Sequence, residues 1–160
     1  MPKVAVLADV SNLYYCVQKQ YGSKLDYRKL VTFIKGIGDP VIMKAYGAQM
    51  HGEATGFIAA LKTFGFETHF KTPKEYSVPG GGIRRKADWD VGIALDMQKL
   101  PEDVQYIILC TADGDMSLAV EEAQAQGKRV VVIGSGISGQ LAHQADEAIE
   151  IPPSLLERKR

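Results

Sequence analysis

Two aspartates one residue apart, Asp113 and Asp115 with Gly114 between them, follow directly on the apolar run Val104-Gln105-Tyr106-Ile107-Ile108-Leu109-Cys110-Thr111. Asp9 likewise follows Lys3-Val4-Ala5-Val6-Leu7-Ala8, and Asp90 opens a helical stretch between these segments. If the two apolar runs are neighbouring strands of one parallel sheet, their carboxyl ends share a crevice, the place where open α/β sheets bind ligands. Carboxylates crowded there repel one another, and the occupant suited to them is a hard divalent cation such as Mg²⁺. The chain therefore reads as a metal-dependent enzyme acting on phosphates.

Each motif also has a plainer use. In Asp9-Val10-Ser11-Asn12, at a strand-to-helix junction, the carboxylate can bind a metal while the Asn12 amide orients a second ligand or a water. The same residues serve equally to cap the following helix through Asp9 or Ser11. Thr111-Ala112-Asp113-Gly114-Asp115-Met116 is more specific, because its acids follow a strand too apolar to be anything but buried, although an Asp-Gly-Asp capping turn competes. It is not an EF-hand loop, whose twelfth position needs Glu and here holds Gln124. Arg84-Arg85-Lys86 stand just before a helix whose first turn carries Asp88 and Asp90. Those cations can grip a phosphodiester backbone beside a metal, or simply complement the acids. Asp88 reads as the N-cap and Asp90 as the inward carboxylate.

The elements that must position these residues alternate between apolar strand-like runs and amphipathic helical runs, the pattern of βα units building a parallel sheet. Strands are expected near 3–8, 41–47, 66–71, 104–111, 129–134 and 147–151, and helices near 11–20, 27–36, 53–64, 90–98, 115–126 and 138–144. Asp26 suits the N-cap of the helix bearing Tyr27, Leu30, Val31 and Ile34, while Gly65 and Gly127 suit helix stops. The stretch 72–86, with Pro73, Pro79 and Gly80-Gly81-Gly82, reads as irregular, and loops of that length are usually functional or mobile.

At 160 residues the chain is the size of one domain with one core, and its 46% hydrophobic and 24% charged composition is ordinary globular usage. The net charge of zero means that a nucleic-acid partner must be held by a local basic patch. No apolar stretch approaches a membrane span, so no membrane partner is expected, and the N-terminus lacks a signal-peptide core. Cys16 and Cys110, far apart and in no metal-binding pattern, suit reduced thiols and a cytoplasmic location. His51, His69 and His143 show no ligand spacing.

Gly134-Ser135-Gly136-Ile137-Ser138-Gly139 fits the dinucleotide-binding pattern G-x-G-x-x-G, yet follows a late strand with no acid placed to hold a ribose hydroxyl. Glycines for a tight turn, with Ser138 as N-cap, explain it, and no dinucleotide cofactor is expected.

In order and spacing, four segments resemble the NYN domain family and, within the PIN-like nucleases, its LabA-like branch. They are Asp9-x-x-Asn12, Lys86 leading to Trp89-Asp90-Val91 with Asp96 beyond, Thr111-Ala112-Asp113-Gly114-Asp115, and Gly127-Lys128-x-Val130-x-Val132-x-Gly134. The resemblance runs from residue 3 to about 151, including Leu141-x-x-x-Ala145-Asp146. It implies a single domain over 1–160, a PIN-like three-layer α/β sandwich whose central, mostly parallel sheet has five to six strands flanked by helices. It further implies a Mg²⁺- or Mn²⁺-dependent ribonuclease, with Asp9, Asp90, Asp113 and Asp115 as catalytic metal ligands and Asn12 as their companion. On the substrate side, Arg84, Arg85 and Lys86 would position the RNA backbone and Thr111 would help orient ligands.

The family more often has Ser-Gly-Asp-Gly-Asp-Phe where this chain has Thr111 to Met116, changes that keep the hydroxyl and the apolar anchor. Two rivals stand beside this reading: a regulatory or RNA-binding module with negligible turnover, since some members of the family are regulators, and a phosphatase or nucleotide hydrolase using the same crevice. Self-association into a homo-oligomer stays open.

Overall fold

The computed structural model describes residues 1–48, 55–72, 74–77, 83–86 and 88–158, the segments 74–77 and 83–86 by their backbone alone. In chain order the elements are β1 (Lys3–Asp9), α1 (Val10–Tyr21), α2 (Tyr27–Lys35), β2 (Asp39–Ala48), α3 (Thr55–Thr63), β3 (Glu67–Lys71), β4 (Lys74–Ser77) and β5 (Ile83–Lys86). There follow α4 (Asp90–Gln98), β6 (Tyr106–Cys110), α5 (Ser117–Ala125), β7 (Arg129–Gly134), α6 (Gly139–Gln144) and β8 (Glu147–Glu150).

Six strands form one sheet in the order β3-β2-β1-β6-β7-β8, every pairing parallel. β1, β6 and β7 are near-continuous apolar runs because the middle strands of a parallel sheet are covered on both faces. Alternate residues of β1 serve opposite cores. Val4, Val6 and Ala8 pack with Leu13, Val17, Leu30, Ile34 and Leu61 from α1, α2 and α3, whereas Leu7 packs with Ile93, Met97 and Val120 from α4 and α5. Helices thus cover both faces of the sheet, making the three layers of an α/β sandwich.

The chain builds outward from β1 through β2 to β3, then returns to β1's other side with β6. The direction of travel reverses between β1 and β6, so their carboxyl ends diverge into the crevice where such sheets place ligands. Ala8 pairs with Cys110 in this register, which sets Asp9 beside the turn bearing Asp113.

Local chemistry explains the helix ends. Asp26 caps α2 by accepting from the Lys29 amide at 3.2 Å, and Gly22 ends α1 in the left-handed region at φ 63°. The stretch expected to be irregular is in part an antiparallel hairpin of β4 and β5, whose short polar strands Lys74-Glu75-Tyr76-Ser77 and Ile83-Arg84-Arg85-Lys86 lack the apolar alternation that marks a strand in sequence.

Two motif residues near β7 hold the sheet together. Lys128, almost fully buried, donates through Nζ to the carbonyls of Val104 at 2.6 Å and Pro101 at 3.1 Å, fastening the turn before β7 to the segment before β6. Asp146 accepts through Oδ2 from the Val130 amide at 2.8 Å and from Gln124 Nε2 at 3.1 Å. The Val130 amide, and then Gln124, hold the Asp146 carboxyl below its ordinary range. An Asp146→Ala variant is expected to lose about 1 kcal/mol at neutral pH by leaving the Val130 amide without its acceptor. Because the folded-state pKa is the lower one, that difference is present above the unfolded value of about 3.9 and disappears as pH falls through the native one. Urea titrations of both proteins at pH 7 and pH 3 check this: an equal deficit at both would assign the loss to packing instead.

Candidate metal centre

Three of the acids singled out in the sequence come together in space. Asp90, Asp113 and Asp115 each offer one carboxylate oxygen, and those oxygens lie within 4.8 Å of one another. Asp90 starts α4, where the Asp88 carboxylate accepts from the Asp90 amide at 2.8 Å. The N-cap position of α4 is held by Trp89, without a side-chain cap bond, and not by Asp88 as expected from the sequence. The Asp88 carboxylate instead steadies the Asp90 amide from one residue earlier, while Asp90 contributes an oxygen to the cluster. Asp113 and Asp115 sit in the turn after β6, with Asp113 Oδ1 accepting from the Asp115 amide at 2.9 Å.

Asp9 stands beside this triad at the end of β1, nearly buried, its Oδ1 accepting from the Asn12 amide at 3.2 Å. Burial is the main cause that raises its carboxyl to about 6, and the charges of Asp88 and Asp113 add to it. Asp90 is raised to about 7, again by burial first and then by Asp88 and Asp113. Among the described residues, no lysine, arginine or histidine forms an ion pair with Asp9, Asp90, Asp113 or Asp115. A converging set of hard oxygen donors without a cation partner fits Mg²⁺ or Mn²⁺.

Asn12 does something the sequence does not announce. Its Oδ1 accepts from the Ala112 amide at 2.9 Å, across 100 residues of chain, and from Cys16 Sγ at 3.7 Å. It bolts the start of α1 to the turn that carries Asp113 and is a positioning residue. Asn12→Ala leaves the Ala112 amide without its acceptor, at a cost of about 1–2 kcal/mol, and should weaken metal binding about 10-fold or more. Isothermal titration with Mn²⁺ reads the second effect, and an unchanged affinity would deny Asn12 this role.

Thr111 is wholly buried, and its hydroxyl accepts from the Asp113 amide at 3.3 Å, so it shapes the turn from within. Gly114 leaves room for a neighbour: a Cβ there would sit 2.6 Å from Ser138 Oγ. Ser138 stands before α6 but its side chain caps nothing, while its amide donates to the Ala112 carbonyl at 3.0 Å. Arg84, Arg85 and Lys86 lie on β5, and their side chains fall outside the described residues, as does His51.

The glycine-rich loop after β7 is occupied by the protein itself. The amides of Gly136 and Ile137 donate to the Glu150 carboxylate at 2.9 and 3.3 Å. Gly134 is required because a Cβ there would lie 2.4 Å from the Thr111 carbonyl oxygen, and Gly136 takes φ 67°. Both free cysteines are accounted for locally, Cys110 buried and pushed up to about 12, Cys16 half-buried against Asn12. Among the described residues no helix is long and apolar enough to cross a membrane.

The sequence profile of the NYN domain matches residues 3–154. The chain belongs to the NYN domain family. NYN domains share the PIN-like nuclease fold, and the acid cluster at the β1/β6 crevice is compatible with it. This NYN domain is similar to the Low amplitude and bright protein LabA of Synechococcus elongatus, with 26% identity over 156 residues covering 93% of this chain and 83% of that protein. It is also similar to an uncharacterized protein of Methanocaldococcus jannaschii, 31% identical over 153 residues that cover 93% of this chain and 55% of the relative, so the chain spans about half of that protein's length. Among solved structures, a protein of unknown function from Vibrio parahaemolyticus has a TM-score of 0.85 and 34% identity, over 98% of this chain and 96% of that one.

Asp96, the acid six residues after Asp90 in the NYN-like segment, is kept away from the cluster. It accepts from the Tyr46 hydroxyl at 2.6 Å and pairs with Lys44 at 3.7 Å, fixing α4 to β2. Trp89 completes that attachment, its Nε1 donating to the Gly47 carbonyl at 2.9 Å. The aspartate that opens α4 is therefore aimed by a helix anchored at both ends.

Proposed function

We propose that this NYN domain is a Mg²⁺- or Mn²⁺-dependent ribonuclease that hydrolyses phosphodiester bonds at the carboxyl edge of its sheet. The observation that carries the reading is the convergence of Asp90, Asp113 and Asp115 within 4.8 Å, with Asp9 beside them and no cation partner among the described residues. Asp90, Asp113 and Asp115 would hold the metal, with Asp9 as a neighbouring ligand. When bound, the ion lowers the pKa of a coordinated water and neutralises charge developing on the phosphate oxygens.

The chain's own contribution is positional. Asn12 and Thr111 fix the turn that aims Asp113 and Asp115, and the α4 anchor aims Asp90. Arg84, Arg85 and Lys86 would hold the RNA backbone, which predicts salt-sensitive binding with little sequence preference. Single-stranded RNA incubated with Mn²⁺ should be cut to fragments bearing 5′-phosphates, and EDTA should stop the reaction. Cleavage that continues in EDTA, or fragments ending in 2′,3′-cyclic phosphate, would contradict a metal-assisted attack by water.

A further inference from the structure

Two residues beyond Asp9 the chain enters a second concavity on the same carboxyl edge. Ser11 lies at its border, and Tyr14, Tyr27, Phe57 and Phe70 line a space of about 390 Å³. The rings meet edge to face, Tyr27 with Phe57 at 5.5 Å and Phe57 with Phe70 at 6.3 Å. Tyr14 is 58% exposed and Phe57 38% exposed, so aromatic surface that folding would ordinarily bury is left open to solvent around a hollow. Lys24 and Glu157 supply one charge of each sign among the lining residues.

We propose that this hollow receives an unstacked nucleobase of the nucleotide adjoining the phosphodiester at the acid cluster. The inference rests on the nuclease reading and deepens it. Continuity sets the occupant: α1 begins immediately after Asp9, and its first turn carries both Ser11, which lines the hollow, and Asn12, which is bonded to the turn bearing Asp113. A strand whose phosphate lies at the carboxylates thus carries its next base toward the rings. Exposed aromatic faces stack any base, because every base offers a π-face. Lys24 and Ser11 can meet the adjoining phosphate and sugar, and Glu157 can accept from an exocyclic amino group. The volume suits a single small ring system with its sugar and is too small for a folded partner. A duplex keeps its bases paired and stacked and cannot fill the hollow without extruding one.

The test is binding of a fluorescein-labelled single-stranded RNA decamer by anisotropy, with Ca²⁺ replacing Mg²⁺ so that the strand is not consumed. It is compared with decamers carrying one abasic ribose at each position in turn and with the duplex. The wild type should bind the intact strand about 5- to 100-fold more tightly than the decamer abasic at the pocket position. Tyr14→Ala and Phe57→Ala should each weaken the intact strand by a comparable factor and erase the abasic penalty. Phe57 also packs on Tyr27 and Phe70, so its variant can lose stability, whereas Tyr14 is exposed enough that its variant tests the idea alone.

Equal affinity for intact and abasic strands, duplex binding as tight as single-strand binding, or a Tyr14→Ala protein indistinguishable from wild type would overturn the inference. Cleavage in Mn²⁺ that ignores abasic positions sinks the base pocket and spares the nuclease. Base-dependent binding without cleavage in Mn²⁺ does the reverse.

Discussion

Asp113→Asn is expected to reduce Mn²⁺-dependent cleavage of single-stranded RNA by at least about 100- to 1,000-fold while the protein stays folded, the scale at which a lost electrostatic contact to the reacting phosphate acts. The substitution is diagnostic because of what it preserves. Asp113 Oδ1 accepts from the Asp115 amide at 2.9 Å, and an asparagine carbonyl oxygen can accept in the same place, so the turn survives and a formal negative charge is removed. The Asp113 amide still donates to Thr111, and Asn12 still holds Ala112. A drop in activity can then be laid to the lost ligand. Residual cleavage within tenfold of wild type, in a preparation free of contaminating nuclease, would remove Asp113 from the centre of the chemistry and leave the regulatory module as the better account of this NYN domain.

The second large effect is thermodynamic. Mn²⁺ at about 100 times its Kd should stabilise the fold by about 2.7 kcal/mol, since it binds the native cluster and not the unfolded chain. For a domain of this size that is a rise in Tm of about 5–10 °C. The pH dependence has a definite sign. Asp9 and Asp90 titrate near 6 and 7 in the folded protein, above the ordinary carboxylate range. Their contribution to metal-free stability is therefore complete below about pH 4 and is lost as pH rises through 6 and 7.

In EDTA the wild type should melt higher at pH 5 than at pH 8 as far as these groups decide it. Asp90→Asn should gain roughly 2–6 °C at pH 8, a figure that allows for solvent screening of a half-exposed group. Mn²⁺ reverses the trend, protecting more at pH 8 because protons no longer compete for the oxygens. Scanning calorimetry of both proteins at the two pH values, with and without Mn²⁺, reads all four quantities. Melting curves that respond to neither the ion nor the substitution would take away the metal centre.

Much of this was legible in residue order, for identifiable reasons. β1, β6 and β7 declare themselves because a strand covered on both faces must be apolar throughout, and the acids announce the site because charge directly after such a strand is costly unless used. Asp26 and Gly65 marked helix ends through chemistry confined to a single turn. Contacts that skip across the chain left no such mark. The bond from Asn12 to Ala112 has no local signature, because an asparagine one turn into a helix looks the same whether it faces a ligand or another strand's turn.

Thr111 is hard to read for a related reason: a hydroxyl beside two aspartates suggests a ligand, yet just past the end of β6 it is wholly buried and accepts from the Asp113 amide. The hairpin of β4 and β5 is invisible to a search for apolar alternation, since its strands are polar and four residues each. The hollow beside α1 collects Tyr14, Tyr27, Phe57 and Phe70 from three helices and a strand, so only the assembled sheet edge reveals it.

The order of strands also carries a consequence for the timing of biosynthesis. β1 pairs on one side with β2, which follows within a few dozen residues, but on the other with β6, about a hundred residues later. A nascent chain that has exposed Asp9 has no partner carboxylates for it until the turn after β6 has left the ribosome, and closing so long a loop is slow compared with local helix formation. The acidic crevice is thus assembled by the return of the polypeptide to its own first strand, and a chain cut short before that return can present no complete cluster.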